Sequence, residues 1–368
     1  MTPETSANIK QILTRRCAMQ GIPISGIFEL TPRCNLSCKM CYVRLTPAQM
    51  EPLGRELTAE QWLSLGRQAK DAGMVFLLLT GGEPTLRQDF PYIYEQLSQM
   101  GLSITVNTNA TMLTPMIREV WHRYPPAQVN VTVYGTSQED YRKLCGNPTA
   151  YDDMVDAVDW LISEGIFTCL NATMTPNNES KWLELEKFAQ VRNLQLRMTT
   201  YCFPPVRRTE CDSCQQFERL SPEAAAQLMI NDLHFREGDE ILKYHAMHLN
   251  APPHAECELG VGENIQCMAG RGQFWVAWNG TMTPCGMLPE PVSSPVTDGF
   301  AAAWADLHQK TMEIRLCPEC IDCEIRSTCL NCAAVIYCES KSYTEKPEYM
   351  CQMNKAFRTQ IQDFADKS

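Results

Sequence analysis

Residues 74–84 read MVFLLLTGGEP. The apolar run 74–79 has the length of a strand and falls short of an ordinary helix. Because it is unbroken where a half-exposed strand would alternate, it reads as a strand buried on both faces, as in a parallel sheet. The run breaks at Gly81, Gly82, Glu83 and Pro84, the kind of punctuation that separates a strand from the next helix. Outward from this point the same module recurs. Strand-length runs rich in apolar or β-branched residues stand at 26–30, 103–107, 128–134, 167–173 and 194–199, which makes six strands. Helix signals fill the gaps. Thr58 with Gln61 forms a capping-box pattern before a helix that ends near Gly73, and Thr114 followed by Pro115 is an N-cap with proline at the first helical position. Tyr151, Met154, Val155, Val158 and Ile162 make one face of a helix over 151–164 that stops at Gly165. Six strand–helix units predict an α/β fold with a curved parallel sheet, and the period alone fits either an open doubly wound sheet or a partial barrel.

The 368-residue chain is 44% hydrophobic, enough for one large domain and a smaller one. With 32 basic and 43 acidic residues, a net charge of -11 and no long run of one sign, it offers no phosphate-tracking surface, so nucleic acid is not an expected partner. No stretch nears the roughly 20 apolar residues that span a bilayer, and MTPETSANIKQILTRR at the start lacks a signal-peptide core. The expectation is a cytoplasmic protein with no membrane contact. In that reducing setting 19 cysteines argue for metal ligation over disulfides. After about residue 200 the strand–helix pattern gives way to Pro204, Pro205 and closely spaced cysteines. The organisation read from this is an N-terminal extension over 1–24, a barrel over 25–230, and a cysteine-rich, loop-dominated domain over 231–368 whose scattered apolar residues call for metal.

Cys34, Cys38 and Cys41 lie in TPRCNLSCKMCY, directly after the first strand. Three thiolates at this spacing can hold three irons of a 4Fe-4S cube and leave the fourth open to a ligand, although a fragment of a zinc site has similar spacing. With Tyr42 following, the loop resembles the signature of the radical S-adenosylmethionine (SAM, or AdoMet) superfamily. That resemblance implies a partial (β/α)6 TIM-like barrel, SAM bound to the open iron, and reductive cleavage of SAM to a 5'-deoxyadenosyl radical. Gly81, Gly82, Glu83 and Pro84 resemble the family element that binds the amino group of SAM; as plain structure they would be a turn. Asn107 and Asn109, closing the third strand, stand where relatives contact the ribose or carboxylate, and asparagine also caps turns for backbone reasons. Arg142 resembles an arginine used against the methionine carboxylate, and it reads equally as a solvated helix residue. Asn171 is a further cofactor candidate.

Cys267, then twelve residues, Gly280, four residues and Cys285, followed by Cys320, Cys323, Cys329, Cys332 and Cys351, resemble the SPASM domain of peptide-modifying radical SAM enzymes. The resemblance implies two auxiliary 4Fe-4S clusters, hence three in all. One would use Cys320, Cys323, Cys329 and Cys351, and the other Cys257, Cys267, Cys285 and Cys332. Only two residues separate Cys329 from Cys332 where the family has three, so Cys317 or Cys338 could replace a member. A zinc ribbon has similar pairs. Cys211 and Cys214 could bind metal, form a redox pair or do neither, while Cys17, Cys145, Cys169 and Cys202 read as core packing. The six histidines show no metal-binding spacing.

The combination implies an anaerobic peptide or protein maturase that abstracts hydrogen to form a crosslink or an oxidised side chain. The expected partners are the substrate, an electron donor such as flavodoxin or ferredoxin, and a separate leader-peptide-binding protein, because only 33 residues precede Cys34. Anaerobic sulfatase-maturating enzymes place an aspartate after the cysteine where this chain has Gly286, which counts against formylglycine formation. Radical oxidation of a small alcohol or sugar is the other enzymatic alternative. An iron–sulfur carrier or zinc-binding module, the non-enzyme alternative, leaves GGEP and the three-cysteine loop unexplained. No catalytic side chain is assigned.

Overall fold

The computed structural model describes the chain apart from residues 1–2, 205–218, 250–264, 266, 322, 327–328, 330–331 and 368. Cys211, Cys214 and Cys257 therefore lie outside the described residues.

The six expected strands form, each within two residues of its sequence reading at either end: β1 Ser25–Glu29, β2 Phe76–Thr80, β3 Ser103–Thr108, β4 Gln128–Thr132, β5 Thr168–Thr173 and β6 Gln195–Thr199. They pair in parallel and in chain order. The caps act as the sequence predicts. Thr58 and Gln61 exchange both capping-box bonds at the start of helix Ala59–Asp71, and the Thr114 hydroxyl accepts from the Ile117 N–H at the start of helix Pro115–Arg123. Gly73 and Gly165 end their helices with φ of 113° and 68°, a region that glycine enters without a Cβ penalty. The helices between strands bury their apolar faces on the sheet. Phe28 and Trp62, both fully buried, meet at 4.9 Å between ring centroids. The sheet does not close on itself, and the fold is a partial (β/α)6 barrel.

A seventh strand, β7 Gln273–Val276, pairs in parallel with β1 on the side away from β2, and the short β8 Met282–Thr283 returns antiparallel to it. Phe274, Val276, Phe300, Trp304 and Leu307 join the barrel's main core. Phe274 packs on Phe300 at 4.9 Å, and the Trp304 indole donates to the Gly21 carbonyl. The cysteine-rich segment is thus more ordered than its scattered apolar residues suggested. It also builds a small core of its own, where Ile265, Met287, Leu316 and Ile336 pack with Cys317, Cys320 and Cys338. Among the described residues, no helix is long and apolar enough to cross a membrane.

Candidate active site

The cysteine loop leaves β1 and folds back against the end of helix Gln138–Cys145: the Ser37 N–H donates to the Cys145 carbonyl at 3.0 Å and the Lys39 N–H to Leu144 at 3.2 Å. Leu45 closes the loop by donating to Pro32 at 3.0 Å. Two sulfurs accept backbone bonds within the loop, Cys34 from Leu36 at 3.4 Å and Cys41 from Arg44 at 3.3 Å. Cys38 is buried and hydrogen-bonds Cys145, so Cys145 does more than the core packing its sequence context predicts. Such bonds pre-shape a thiolate loop. Burial pushes the Cys34 thiol up to about 12. The bond with Cys145, then burial, hold Cys38 well above the ordinary thiol range. For Cys34 and Cys38 the neutral thiol is thus favoured, and metal binding would deprotonate them.

GGEP braces this loop. The Gly82 N–H donates to the Thr31 carbonyl at 2.7 Å and the Glu83 N–H to Arg33 at 2.8 Å. A Cβ on Gly82 would stand 2.3 Å from the Arg33 oxygen, and one on Gly81 would stand 2.5 Å from the Thr31 oxygen. The glycines thus permit close approach of two strand ends to each other. Glu83 is fully buried, and its carboxylate accepts four bonds: Thr85 N–H at 3.1 Å, Thr85 hydroxyl at 2.6 Å, Thr108 hydroxyl at 2.8 Å and Asn109 N–H at 2.7 Å. Burial still outweighs those donors, so the Glu83 pKa is raised. Pro84 opens the one-turn helix that presents Thr85 to it. A second brace was not visible in the sequence. Glu56 accepts from Thr31 at 2.5 Å and from Arg33 at 2.8 and 2.9 Å, while the buried Arg87 donates to the Leu30 and Leu57 carbonyls.

A cavity of about 370 Å³ opens at the C-terminal ends of the strands, lined by Cys34, Cys38, Cys41, Tyr42, Gly81, Gly82, Asn107 and Asn109. This size suits a small-molecule cofactor. Asn107 accepts from Asn130 at 2.7 Å, and Asn109 donates to Asn35 at 2.9 Å and to the Cys34 sulfur at 3.7 Å, tying β3 to the cysteine loop. Glu83 and Pro84 sit just behind this lining. Arg142 is exposed on its helix and paired with Glu139, and Asn171 sits within β5; neither lines the cavity. The strands β2 to β6 each end in a threonine, Thr80, Thr108, Thr132, Thr173 and Thr199, and all five line the cavity together with Tyr134, Tyr201 and Phe203. Threonine suits strands so well that its recurrence there carried no signal of its own.

The later cysteines sort into two neighbourhoods. Cys320 feels Cys317, Cys351 and Cys329, and Cys351 feels Cys323, which gathers the first expected ligand set with Cys317 beside it. Cys338, pushed up to about 12 by burial, also feels Cys285 and Cys332, and Cys267 in turn feels Cys332. Cys338 thus stands with three members of the second set. Among the described residues, no three His, Cys, Asp or Glu side chains converge as a single-ion site. The soft sulfur donors of the strand-end loop, all on one cavity, suit an iron–sulfur group.

Residues 28–189 match the sequence model of the Radical SAM superfamily, and the chain carries a radical SAM domain. Two curated relatives differ in how much they share. AdoMet-dependent heme synthase of Methanosarcina barkeri is 25% identical over 346 residues, which span 90% of this chain and 97% of that protein. PqqA peptide cyclase of Bradyrhizobium diazoefficiens is 27% identical over 161 residues, 43% of this chain and 41% of that protein. Among solved structures, SuiB of Streptococcus suis bound to precursor peptide SuiA has a TM-score of 0.69 at 17% identity, covering 90% of this chain and 76% of that one. Native anSMEcpe with bound AdoMet has a TM-score of 0.68 at 14% identity, covering 94% and 100%. At these identities the two structures share the fold.

Proposed function

We propose that this radical SAM enzyme abstracts hydrogen from a peptide or protein substrate and forms a crosslink or an oxidised side chain. SAM bound at an iron–sulfur cluster on Cys34, Cys38 and Cys41 would supply the radical. The chain's own residues position and enclose. Tyr42, Asn107 and Asn109 face the cofactor space, Gly81 to Pro84 hold the cysteine loop in register with β2, and Tyr201 and Phe203 wall the far side, limiting quenching by solvent. Arg142 and Asn171, outside the cavity lining, stand as cofactor contacts on the resemblance alone. The cysteine-rich segment is read as a SPASM-like lobe with two auxiliary 4Fe-4S clusters, the second using Cys338 or Cys257 beside Cys267, Cys285 and Cys332. Such clusters would take up the electron left when the product bond forms.

The observation that carries the peptide reading is the pair of cysteine neighbourhoods in the lobe, one around Cys320 and one around Cys338, which resemble the auxiliary sites of peptide-modifying radical SAM enzymes. Supporting it are the precursor peptide in the SuiB structure and the name of the peptide cyclase relative. A second reading, action on a heme precursor, is favoured by the relatives that match nearly end to end.

One experiment separates them. Reduced, iron-loaded enzyme is incubated with SAM and either a side-chain-deuterated peptide encoded beside its gene or a carboxylate-bearing iron porphyrin. Deuterium in 5'-deoxyadenosine with a peptide lighter by two hydrogens is the expected result. Conversion of the porphyrin to heme, with the peptide unchanged, would replace the peptide reading.

A further inference from the structure

Tyr201 follows β6 and faces two ways. Its ring lines the cavity that holds Cys34, Cys38 and Cys41, and packs edge-on against Phe203 at 4.9 Å between centroids. Its hydroxyl turns outward and donates to Glu339 at 2.6 Å. Glu339 is nearly buried, with a side chain 10% exposed, and also accepts from both terminal nitrogens of Arg219 at 2.6 and 3.1 Å. Arg219 lies over the Tyr349 ring at 3.7 Å, and the Tyr349 hydroxyl donates to Leu220. These contacts join three segments: the chain leaving the barrel; helix Ala333–Ser340, which starts just after Cys332 and carries Cys338; and helix Glu348–Ala365, which carries Cys351.

We propose that Tyr201, Glu339 and Arg219 form a positioning unit that fixes the cysteine-rich lobe relative to the cavity and sets the electrostatics of the auxiliary centre beside Cys332 and Cys338. A carboxylate with three charge-assisted or short bonds is rigid, and a desolvated bidentate pair is strongly directional. Glu339 adjoins Cys338 in sequence, so its negative charge, offset by one phenol and one guanidinium, acts on that centre through a medium of low dielectric. The unit rests on the reading of the lobe as an iron–sulfur lobe and is independent of whether the substrate is a peptide.

The test uses the full chain with its clusters loaded, followed by redox-titrated electron paramagnetic resonance and anaerobic 5'-deoxyadenosine formation without substrate. Glu339→Gln removes a negative charge and should raise the midpoint potential of one auxiliary signal, while SAM cleavage at the Cys34, Cys38 and Cys41 cluster stays within about twofold of the parent because Glu339 itself does not line that cavity. Tyr201→Phe removes a donor, leaves the carboxylate less offset, and should lower the same potential. Opposite signs mark electrostatic positioning; a loosened lobe would move both variants the same way. Shifts of one sign, or none, overturn the proposal. Thermal unfolding of the single and double variants, with clusters loaded, gives a check that does not read the iron signal. The two changes should be non-additive, because they cut one contact, and additive losses would overturn the coupling. Parent protein without iron in the lobe overturns both the lobe reading and its electrostatic part, which distinguishes that failure from unchanged potentials in an iron-loaded parent.

Discussion

The loop that carries Cys34, Cys38 and Cys41 and the lobe that carries Cys267 to Cys351 are both cysteine-rich, yet they are held in different ways. The loop hangs from the end of β1, and backbone bonds from Gly82, Glu83, Ser37 and Lys39 clamp it to the neighbouring strand end and to one helix. The lobe is assembled from short helices around a small core in which Cys317, Cys320 and Cys338 are themselves members. A site on a rigid strand end is set by the fold, whereas a site whose ligands are part of the core needs its metal to complete the packing.

The largest expected effect separates the two regions outright. Replacing Cys34, Cys38 and Cys41 together by alanine should remove about four of about twelve irons and leave the lobe's share, measured by iron and sulfide content after anaerobic reconstitution. Loss of all iron would mean that the lobe does not hold clusters on its own, and zinc in the lobe would end the auxiliary-cluster reading. Next is the brace. Glu83→Ala orphans four buried donors and should cost on the order of 4 kcal/mol or more in urea unfolding, given about 1–3 kcal/mol for each buried group left without its partner. The SAM affinity of Glu83→Gln with clusters intact, read by calorimetry, then tells whether the carboxylate also touches the cofactor. Weakened binding would add a direct role; unchanged binding would leave it a brace.

This pair of regions also shows where the sequence was legible. Strand positions were readable because unbroken apolar runs and capping pairs such as Thr58 with Gln61 are local signals. The β7 pairing was not, since the segment lies far along the chain from β1, with Trp275 donating across to Glu29, and its short run looked like loop. At the site, the three cysteines were evident from spacing. At Glu83 a sequence shows the carboxylate that a ligand could use and hides the four donors around it. Arg142 carries the same letters whether it binds a cofactor or pairs with Glu139, as it does here. Tyr201 gave no warning because its partner lies 138 positions away.

A finer test concerns the fourth ligand of the second neighbourhood. Cys338→Ser should lower iron by about one cluster and abolish one auxiliary signal if Cys338 ligates, as its place beside Cys285 and Cys332 suggests. Should Cys257→Ser do so instead, with Cys338→Ser silent, the ligand set read from sequence stands unchanged. The smallest effect concerns the barrel's outer layer, where burial, followed by a bond and repulsion from Asp232, pushes the Glu186 carboxyl up to about 8 from its usual 4.5. Its folded pKa lies above the unfolded one, so its contribution is whole below pH 4.5, fades as pH rises, and is gone above about 8. Stability measured across that window should fall more steeply in the parent than in Glu186→Gln. Parallel profiles would contradict the shift.

On the proposed function, the strand-end loop, and no other cysteine group, supports SAM cleavage. The most direct measurement is chromatographic quantification of 5'-deoxyadenosine made by the dithionite-reduced, iron-loaded chain, beside Cys38→Ala prepared in the same way. The expected result is 5'-deoxyadenosine from the parent and none above background from the variant. No product from a fully iron-loaded parent, or equal product from both, would contradict it.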